Sequence, residues 1–193
     1  MLGVFLILLG LAVWTAFHMF PALAPETRAG VIAKIGDKPW RGVAALGIVL
    51  GVVLMVQGWG PAAGAGVIYA APAWGVHVNN LLMLIAFILL GASHGKSAIS
   101  RYLRHPMLTA AAVWAVAHLL ANGEVRSVVL FAGMGVWAMA AMVAINRRDG
   151  PRTSTPAPRP LRRELIGVGI SVAVFVVFLL IHPWLFGVSP LPG

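Results

Sequence analysis

The sequence predicts an all-α protein, a polytopic transmembrane bundle of about six helices with both termini outside. Three observations support this fold class. The 193 residues are 60% hydrophobic and 10% charged, with a mean hydropathy of +0.92, whereas an ordinary soluble domain has about 25% charged residues. The apolar residues form blocks close to the length of about 20 residues that crosses a bilayer. Thirteen of the 14 lysines and arginines lie in alternate connections between these blocks, as the positive-inside rule requires of a multi-pass protein.

Six apolar blocks follow one another along the chain. The first lacks a basic start and is longer than the apolar part of a signal peptide, so we interpret it as the first span. The fourth is the shortest, and we expect Arg104, His105 and Asn122 at its ends to meet the membrane interfaces. The predicted spans are Leu2–Pro21, Gly42–Gly60, Trp74–Ala92, Pro106–Ala121, Ser127–Ile145 and Leu165–Phe186.

The basic residues also predict the orientation. Only Arg126 lies on the side that faces away from the basic connections. The rule therefore places the connections after the first, third and fifth spans in the cytoplasm, which requires an even number of spans. Their basic residues are Arg28, Lys34, Lys38, Arg41, Lys96, Arg101, Arg104, Arg147, Arg148, Arg152, Arg159, Arg162 and Arg163.

Composition divides the chain into three predicted segments. Residues 1–146 form a five-helix transmembrane unit, and residues 147–163 form a cytoplasmic basic linker rich in proline. Residues 164–193 form the sixth helix and a short outer tail. Gly47 and Gly51 are four residues apart in the second span, a spacing that we interpret as close helix packing.

Several kinds of site are not expected. The chain has no cysteine, which excludes thiolate-held iron–sulfur clusters and covalent haem attachment through a C-x-x-C-H motif. All five carboxylates lie in connections or at helix ends, so an acidic proton relay or an oxygen site for Mg²⁺ or Ca²⁺ has few ligands. The net charge of +9 serves topology, and nucleic-acid binding is not expected.

Histidines are the remaining candidates for chemistry. His118 lies thirteen residues into the fourth span, about 20 Å along the helix, with Trp114 and Asn122 on the same face. His18 likewise follows Trp14 by four residues. A neutral imidazole beside an aromatic ring suits an axial ligand of haem. The alternative is a tryptophan that packs on a histidine bonded to a backbone carbonyl. The six histidines are His18, His77, His94, His105, His118 and His182.

Predicted depth sorts the histidines into two sets. His18, His94 and His105 lie toward the cytoplasm, whereas His77, His118 and His182 lie in the outer half. Two axial histidines hold their Cα atoms about 12 Å apart. Depth alone therefore pairs His118 with His77 or His182. A pair formed by His18 and His118 would require the line between their Cα atoms to run steeply across the membrane.

The stretch RHPMLTAAAVWAVAHLLANG, Arg104 to Gly123, resembles the NnrU family of bacterial membrane proteins. The segments FHMFPAL, GIVLGVVLMVQGWG and HPWLFGV agree, so the likeness covers nearly the whole chain. Members of this family resemble plant 15-cis-zeta-carotene isomerase. The resemblance implies a protein of the bacterial cytoplasmic (inner) membrane that is linked to denitrification and nitric oxide metabolism. The isomerase relatives bind non-covalent haem b and isomerise a carotenoid double bond.

By position, the resemblance implies that His18 and His118 are the axial pair of haem b, and His105 matches the histidine of its RHP element. With Trp114 and Asn122, these residues form the expected cofactor site. The isomerase has a cysteine where this chain has Ala115, which removes the alternative thiolate ligand. The expected function is an isomerase or redox role on a lipophilic substrate, or a role in nitrogen-oxide metabolism.

Two alternatives stay open. Isoprenylcysteine-type membrane methyltransferases also resemble this chain at the RHP element, where they bind S-adenosylmethionine, and here Arg104 and His105 would act. Those enzymes continue with an acidic pair, whereas Glu124 and Glu164 stand alone in this chain. The second alternative is a non-enzymatic assembly or transport factor whose histidines serve packing.

Overall fold

The fold is known from a computed structural model that describes residues 1–94, 97–155, 157 and 159–191. Lys96, two prolines of the predicted linker and the end of the predicted outer tail lie outside the described residues. The prediction of an all-α protein is confirmed, because the described residues form eight α-helices and one short 3₁₀ turn but no strand. The helices are α1 (Leu2–Leu23), α2 (Pro25–Ile35), α3 (Asp37–Trp59), α4 (Gly75–Ser93), α5 (Ala98–Tyr102), α6 (Pro106–Ala121), α7 (Val125–Asp149) and α8 (Leu161–Phe186).

The long helices correspond to the predicted spans. In the part of the chain that is described, α1, α3, α4, α7 and α8 are long and apolar enough to cross a membrane, and α6 is a shorter apolar helix. The bounds of α6 are those predicted from the sequence. The chain is thus a multi-pass membrane protein, while its orientation stays a prediction.

The helices extend beyond the predicted spans where polar residues continue the helical backbone. Helix α3 begins at Asp37, and Asp37 and Arg41 form an ion pair of 2.8 Å one turn apart. Helices α2 and α5 were not predicted, because their short polar sequences lack an apolar block. Pro25 starts α2, where its missing N–H has no role, and Gly36 ends it at φ 89°.

The described contacts group the helices into two compact units. The first comprises Met1–Tyr69 and Gly123–Gly150, with α1, α2, α3 and α7. The second comprises Ala70–Asn122 and Pro151–Gly193, with α4, α5, α6 and α8. The predicted five-helix unit and linker stay a prediction from composition.

In the first unit, glycines bring α1 and α3 together. A Cβ atom added to Gly10 would lie 2.6 Å from the carbonyl oxygen of Gly51, and one added to Gly58 would lie 2.6 Å from that of Gly3. Gly47 lies against the ring of Phe17. The interpretation of the glycine spacing as close packing is therefore confirmed, since membrane helices approach closely where side chains are small.

The loops at one end of the first unit form a short antiparallel pairing. Gly123 accepts hydrogen bonds from the N–H groups of Ile68 and Tyr69, and the N–H of Val125 donates to Gly66. A Cβ atom on Gly123 would collide with the carbonyl oxygen of Tyr69. Only glycine fits this close approach of two backbones.

Arg126, the basic residue predicted on the outer side, has local partners. Its Nε donates to Glu124 at 2.6 Å, and its guanidinium carbon lies 4.7 Å from the centre of the Trp59 ring. The positive charge is therefore balanced by a carboxylate and an aromatic face.

In the second unit, α4 lies between α6 and α8. Gly75 of α4 approaches the backbone of Leu120 in α6, and Gly91 approaches the hydroxyl of Ser171 in α8. Ser171 is the buried residue of α8 among those described. The N–H of Ala98 in α5 donates to Glu164 of α8 at 3.0 Å, which joins these two helices by a side chain that faces water.

Candidate functional site

His18 lies in an aromatic cluster of the first unit. Its Nδ1 donates a hydrogen bond to the carbonyl oxygen of Trp14 at 3.0 Å. The imidazole centre lies 4.0 Å from the Trp14 ring and 5.1 Å from the Trp137 ring. The two indoles meet edge to face at 5.3 Å. One residue of α7 thus joins the pair that the spacing in α1 predicted.

The two tryptophans of this cluster carry polar groups without partners. The indole Nε1 atoms of Trp14 and Trp137 are both buried, and neither has a hydrogen-bond partner among the described residues. A buried donor without an acceptor is rare in proteins and costs about 1–3 kcal/mol. Two such donors beside His18 fit a site whose ligand carries a hydrogen-bond acceptor.

His118 has the same local arrangement in the second unit. Its Nδ1 donates to the carbonyl oxygen of Trp114 at 2.9 Å, and the two rings lie 5.2 Å apart. Trp114 and His118 are both partly buried. Both spans thus have the geometry that the sequence offered as the alternative to a haem ligand, a tryptophan packed on a histidine that bonds a backbone carbonyl. The reason is that residues four apart share one face of a helix.

Asn122 also belongs to this group, but through the backbone. Its side-chain amide donates to the carbonyl oxygen of His118 at 2.9 Å, at the end of α6. The last carbonyl groups of a helix lack partners within the helix. Asn122 therefore completes the end of the helix that carries His118.

We expect the substitution Asn122→Ala to lower the free energy of unfolding by about 1 kcal/mol, the usual net value of one hydrogen bond. Thermal unfolding in detergent, followed by circular dichroism, measures this. Gln57→Ala is the matched control, because Gln57 also carries an amide and is exposed on α3. Equal unfolding temperatures for both variants and the parent would show that the Asn122 bond contributes nothing.

The hydrogen bonds of His18 and His118 determine which ring nitrogen can bind a metal. A carbonyl oxygen only accepts hydrogen bonds, so Nδ1 must carry the proton in both residues. The lone pair of the neutral ring is then on Nε2. Metal-binding histidines almost always donate their other N–H in this way. Both residues fit haem iron as a ligand, and histidine is a usual axial ligand of haem.

The other histidines differ in their surroundings. His105 precedes α6, where its carbonyl accepts from Thr109 at 2.9 Å, and thirteen residues separate it from His118. The ring of His94 is exposed and bonds the carbonyl of Leu90 at 2.9 Å. His77 is exposed on α4.

His182 is the other histidine to consider as a second ligand beside His118. Both belong to the second unit. The Nδ1 atom of His182 donates to the carbonyl oxygen of Val188 at 2.7 Å, and the ring lies 4.7 Å from that of Phe186. His182 therefore shares the tautomer of the other two.

The structure brings some predicted site residues together and leaves others apart. Trp114, His118 and Asn122 form one group, whereas His105 lies at the opposite end of α6. His18 belongs to the first unit and His118 to the second, so each is assessed on its own contacts. No group of three metal-binding side chains of the His, Cys, Asp and Glu types occurs among the described residues.

Trp137 is the residue of the His18 cluster that the sequence did not indicate. It stands in an apolar helix, and no spacing relates it to His18. Its one signal in the sequence is a single tryptophan in a span built mostly from small and aliphatic residues. Contacts between distant helices depend on packing, which a period along one helix cannot predict.

A known protein family matches this chain. The sequence model of the family described as NnrU protein matches residues 6–190, which is nearly the whole chain. No curated protein and no solved structure matches the chain. The match includes both histidine groups and the loop that contains Gly123.

Proposed function

The chain belongs to the NnrU family, and on this premise we propose that it binds haem b without a covalent bond, with His18 and His118 as its candidate iron ligands. One observation carries the proposal. In each residue, Nδ1 donates to the carbonyl of the tryptophan four positions earlier, at 3.0 and 2.9 Å. This bond orients the ring and leaves Nε2 as the ligand atom.

Further support comes from the donor set. The sequence has no thiolate, and its carboxylates lie in connections or at helix ends, so histidine and methionine are the side chains available to iron within a span. A tryptophan ring packs beside each of the two imidazoles. The two unpartnered indole N–H groups near His18 offer donors to an acceptor on the cofactor. When bound, haem would supply a redox-active iron centre.

The proposed role is an isomerase or redox function on a lipophilic substrate, or a function in nitrogen-oxide metabolism linked to denitrification. A lipophilic substrate is favoured because apolar side chains such as Leu46, Val136 and Leu180 are largely exposed on the helices. These faces contact the hydrocarbon of the bilayer, from which such a substrate would enter. We propose a bacterial inner membrane as the location.

Haem content is the direct test. The protein is produced with added haem precursor, purified in detergent and examined by absorption and by the pyridine haemochrome assay. We expect a Soret band and about one haem b per chain, held without a covalent bond. A folded, helical protein that binds no haem when haem is titrated into it would refute the proposal.

A titration with S-adenosylmethionine separates the methyltransferase alternative. Arg104 and His105 would bind this cofactor, and His105 lies at the other end of α6 from His118. We expect no heat of binding by calorimetry. Saturable binding that disappears in His105→Ala would favour the methyltransferase function over the haem function.

A further inference from the structure

A groove lies between α1 and α7 in the first unit, at the end where both helices stop. Its volume is about 680 Å³. Most of its lining is aliphatic, and two arginines stand at the helix ends. The lining residues that bear on its chemistry are Met19, Leu23, Ala140, Val143, Arg147 and Arg148. None of its lining residues belongs to the histidine clusters.

The guanidinium group of Arg148 already has partners within the protein. Its Nε and Nη2 donate to the carboxylate of Asp149 at 2.7 and 3.2 Å, and its Nη1 donates to the carbonyl oxygen of Pro21 at 3.2 Å. In a continuous helix that carbonyl would accept from residue 25, which is a proline without an N–H. Arg148 therefore satisfies a carbonyl that α1 leaves open, and it ties α7 to α1.

Arg147 is the uncompensated charge at this place. Its side chain is exposed, lines the groove, and has neither an ion pair nor a hydrogen bond within the described part of the chain. Arg147 and Arg148 are the charged side chains that line the groove, and of these two only Arg148 is paired with a carboxylate. Arginine suits phosphate because its planar group donates two parallel hydrogen bonds.

The groove walls define the rest of the ligand. From Ala140 to Arg147 the groove follows α7 for about 10 Å at 1.5 Å per residue. Met19, Leu23 and Val143 present only aliphatic or thioether surface along this length. A free phosphate ion would gain no favourable contact from these apolar walls, whereas an acyl chain would bury its apolar surface against them.

We infer that this groove binds an anionic glycerophospholipid, with its phosphate on Arg147 and an acyl chain along α1 and α7. The basic residues predict that this end faces the cytoplasm. The cytoplasmic leaflet carries anionic lipids, and basic pockets between transmembrane helices bind their headgroups. The bound lipid would fill the space between the ends of α1 and α7. It would add to the contact that Arg148 makes between these two helices.

Lipid titration of the full chain tests this inference. Phosphatidylglycerol with palmitoyl and oleoyl chains is added to the protein in neutral detergent, and bound lipid is counted by native mass spectrometry. Phosphatidylcholine with the same chains and free glycerol 3-phosphate are titrated in parallel. We expect phosphatidylglycerol to bind about fivefold more tightly than phosphatidylcholine, since one basic residue near a lipid headgroup contributes this much. Glycerol 3-phosphate should not bind.

Three variants assign the effect to the groove. Arg147→Gln should reduce the affinity for phosphatidylglycerol to that for phosphatidylcholine. Val143→Trp should weaken both lipids, because it fills the groove from a position that is 49% exposed and tolerates a large side chain. Arg41→Gln is the matched control, because Arg41 is an exposed arginine of α3 that does not line the groove.

The outcomes that overturn the inference are distinct. Equal affinities for phosphatidylglycerol and phosphatidylcholine would show that the groove does not recognise the anionic headgroup. An equal loss in Arg41→Gln and Arg147→Gln would show general surface charge instead of a site. Binding of glycerol 3-phosphate as tight as that of the lipid would show a phosphate site without a role for the acyl chain. Circular dichroism of each variant confirms that it is folded.

Discussion

His118→Ala is expected to lower bound haem by about tenfold or more, because even residues that only orient a metal ligand change metal affinity by 10 to 100 times. His18→Ala should have a similar effect. Each variant removes an imidazole whose Nδ1 is held by a tryptophan carbonyl and whose Nε2 is the proposed ligand. The measurement is the Soret absorbance per chain in protein purified with haem.

Chemical rescue separates ligation from folding. Free imidazole can enter the space left by the truncated side chain, so it should restore the Soret band in His118→Ala. His94→Ala is the matched control, because His94 makes the same bond from Nδ1 to a carbonyl four residues earlier but is exposed. Unchanged haem in His118→Ala, or an equal loss in His94→Ala, would contradict the assignment.

A His182→Ala variant separates the two candidate pairings of His118. The two residues share the second unit. If His18 is the other ligand, His182→Ala retains haem and the Soret position. If His182 is the ligand, that variant loses haem and His18→Ala retains it.

The second large effect concerns the α1 and α3 contact. We expect Gly10→Ala to lower the free energy of unfolding by about 1–3 kcal/mol, the usual cost of overpacking. The added Cβ would lie 2.6 Å from the carbonyl oxygen of Gly51, and a backbone atom cannot move aside as a flexible side chain can. The two helices would have to separate along their shared face.

Gly42→Ala is the control with the opposite expected sign. A Cβ on Gly42, in α3, meets nothing within 4 Å. Alanine is favoured over glycine in a helix by about 1 kcal/mol, so this variant should be neutral or more stable. The two variants are compared by unfolding them in mild detergent with increasing amounts of a denaturing detergent. Circular dichroism follows the loss of helix. A loss of stability in both variants, or in neither, would be inconsistent with the contact.

Features set within one helix could be predicted well. The bounds of α6 follow from Pro106 at its start and the end of the apolar run at Ala121. The pairing of His118 with Trp114 follows from the helical period, because positions four apart lie on one face. The histidine tautomers could not be predicted, because they depend on the carbonyl that each ring reaches.

Features that depend on contacts between helices were missed. Trp137 reaches His18 from another helix. Gly123 pairs with Tyr69 in a loop, although the two residues are 54 positions apart in the sequence. Helices α2 and α5 were also missed, because their sequences lack the apolar block from which a span is predicted.

The sequence by itself determined the all-α class, the apolar helices that cross the membrane, the histidines as candidate ligands and the membership that the residues of the fourth span suggested. These follow from hydropathy and helical period, which act along the chain. The tertiary structure alone decided the aromatic cluster around His18, the glycine contacts of α1 with α3, and the groove whose mouth carries Arg147. The reason is that each depends on which helices are neighbours, and the burial of an apolar face does not specify the partner that covers it.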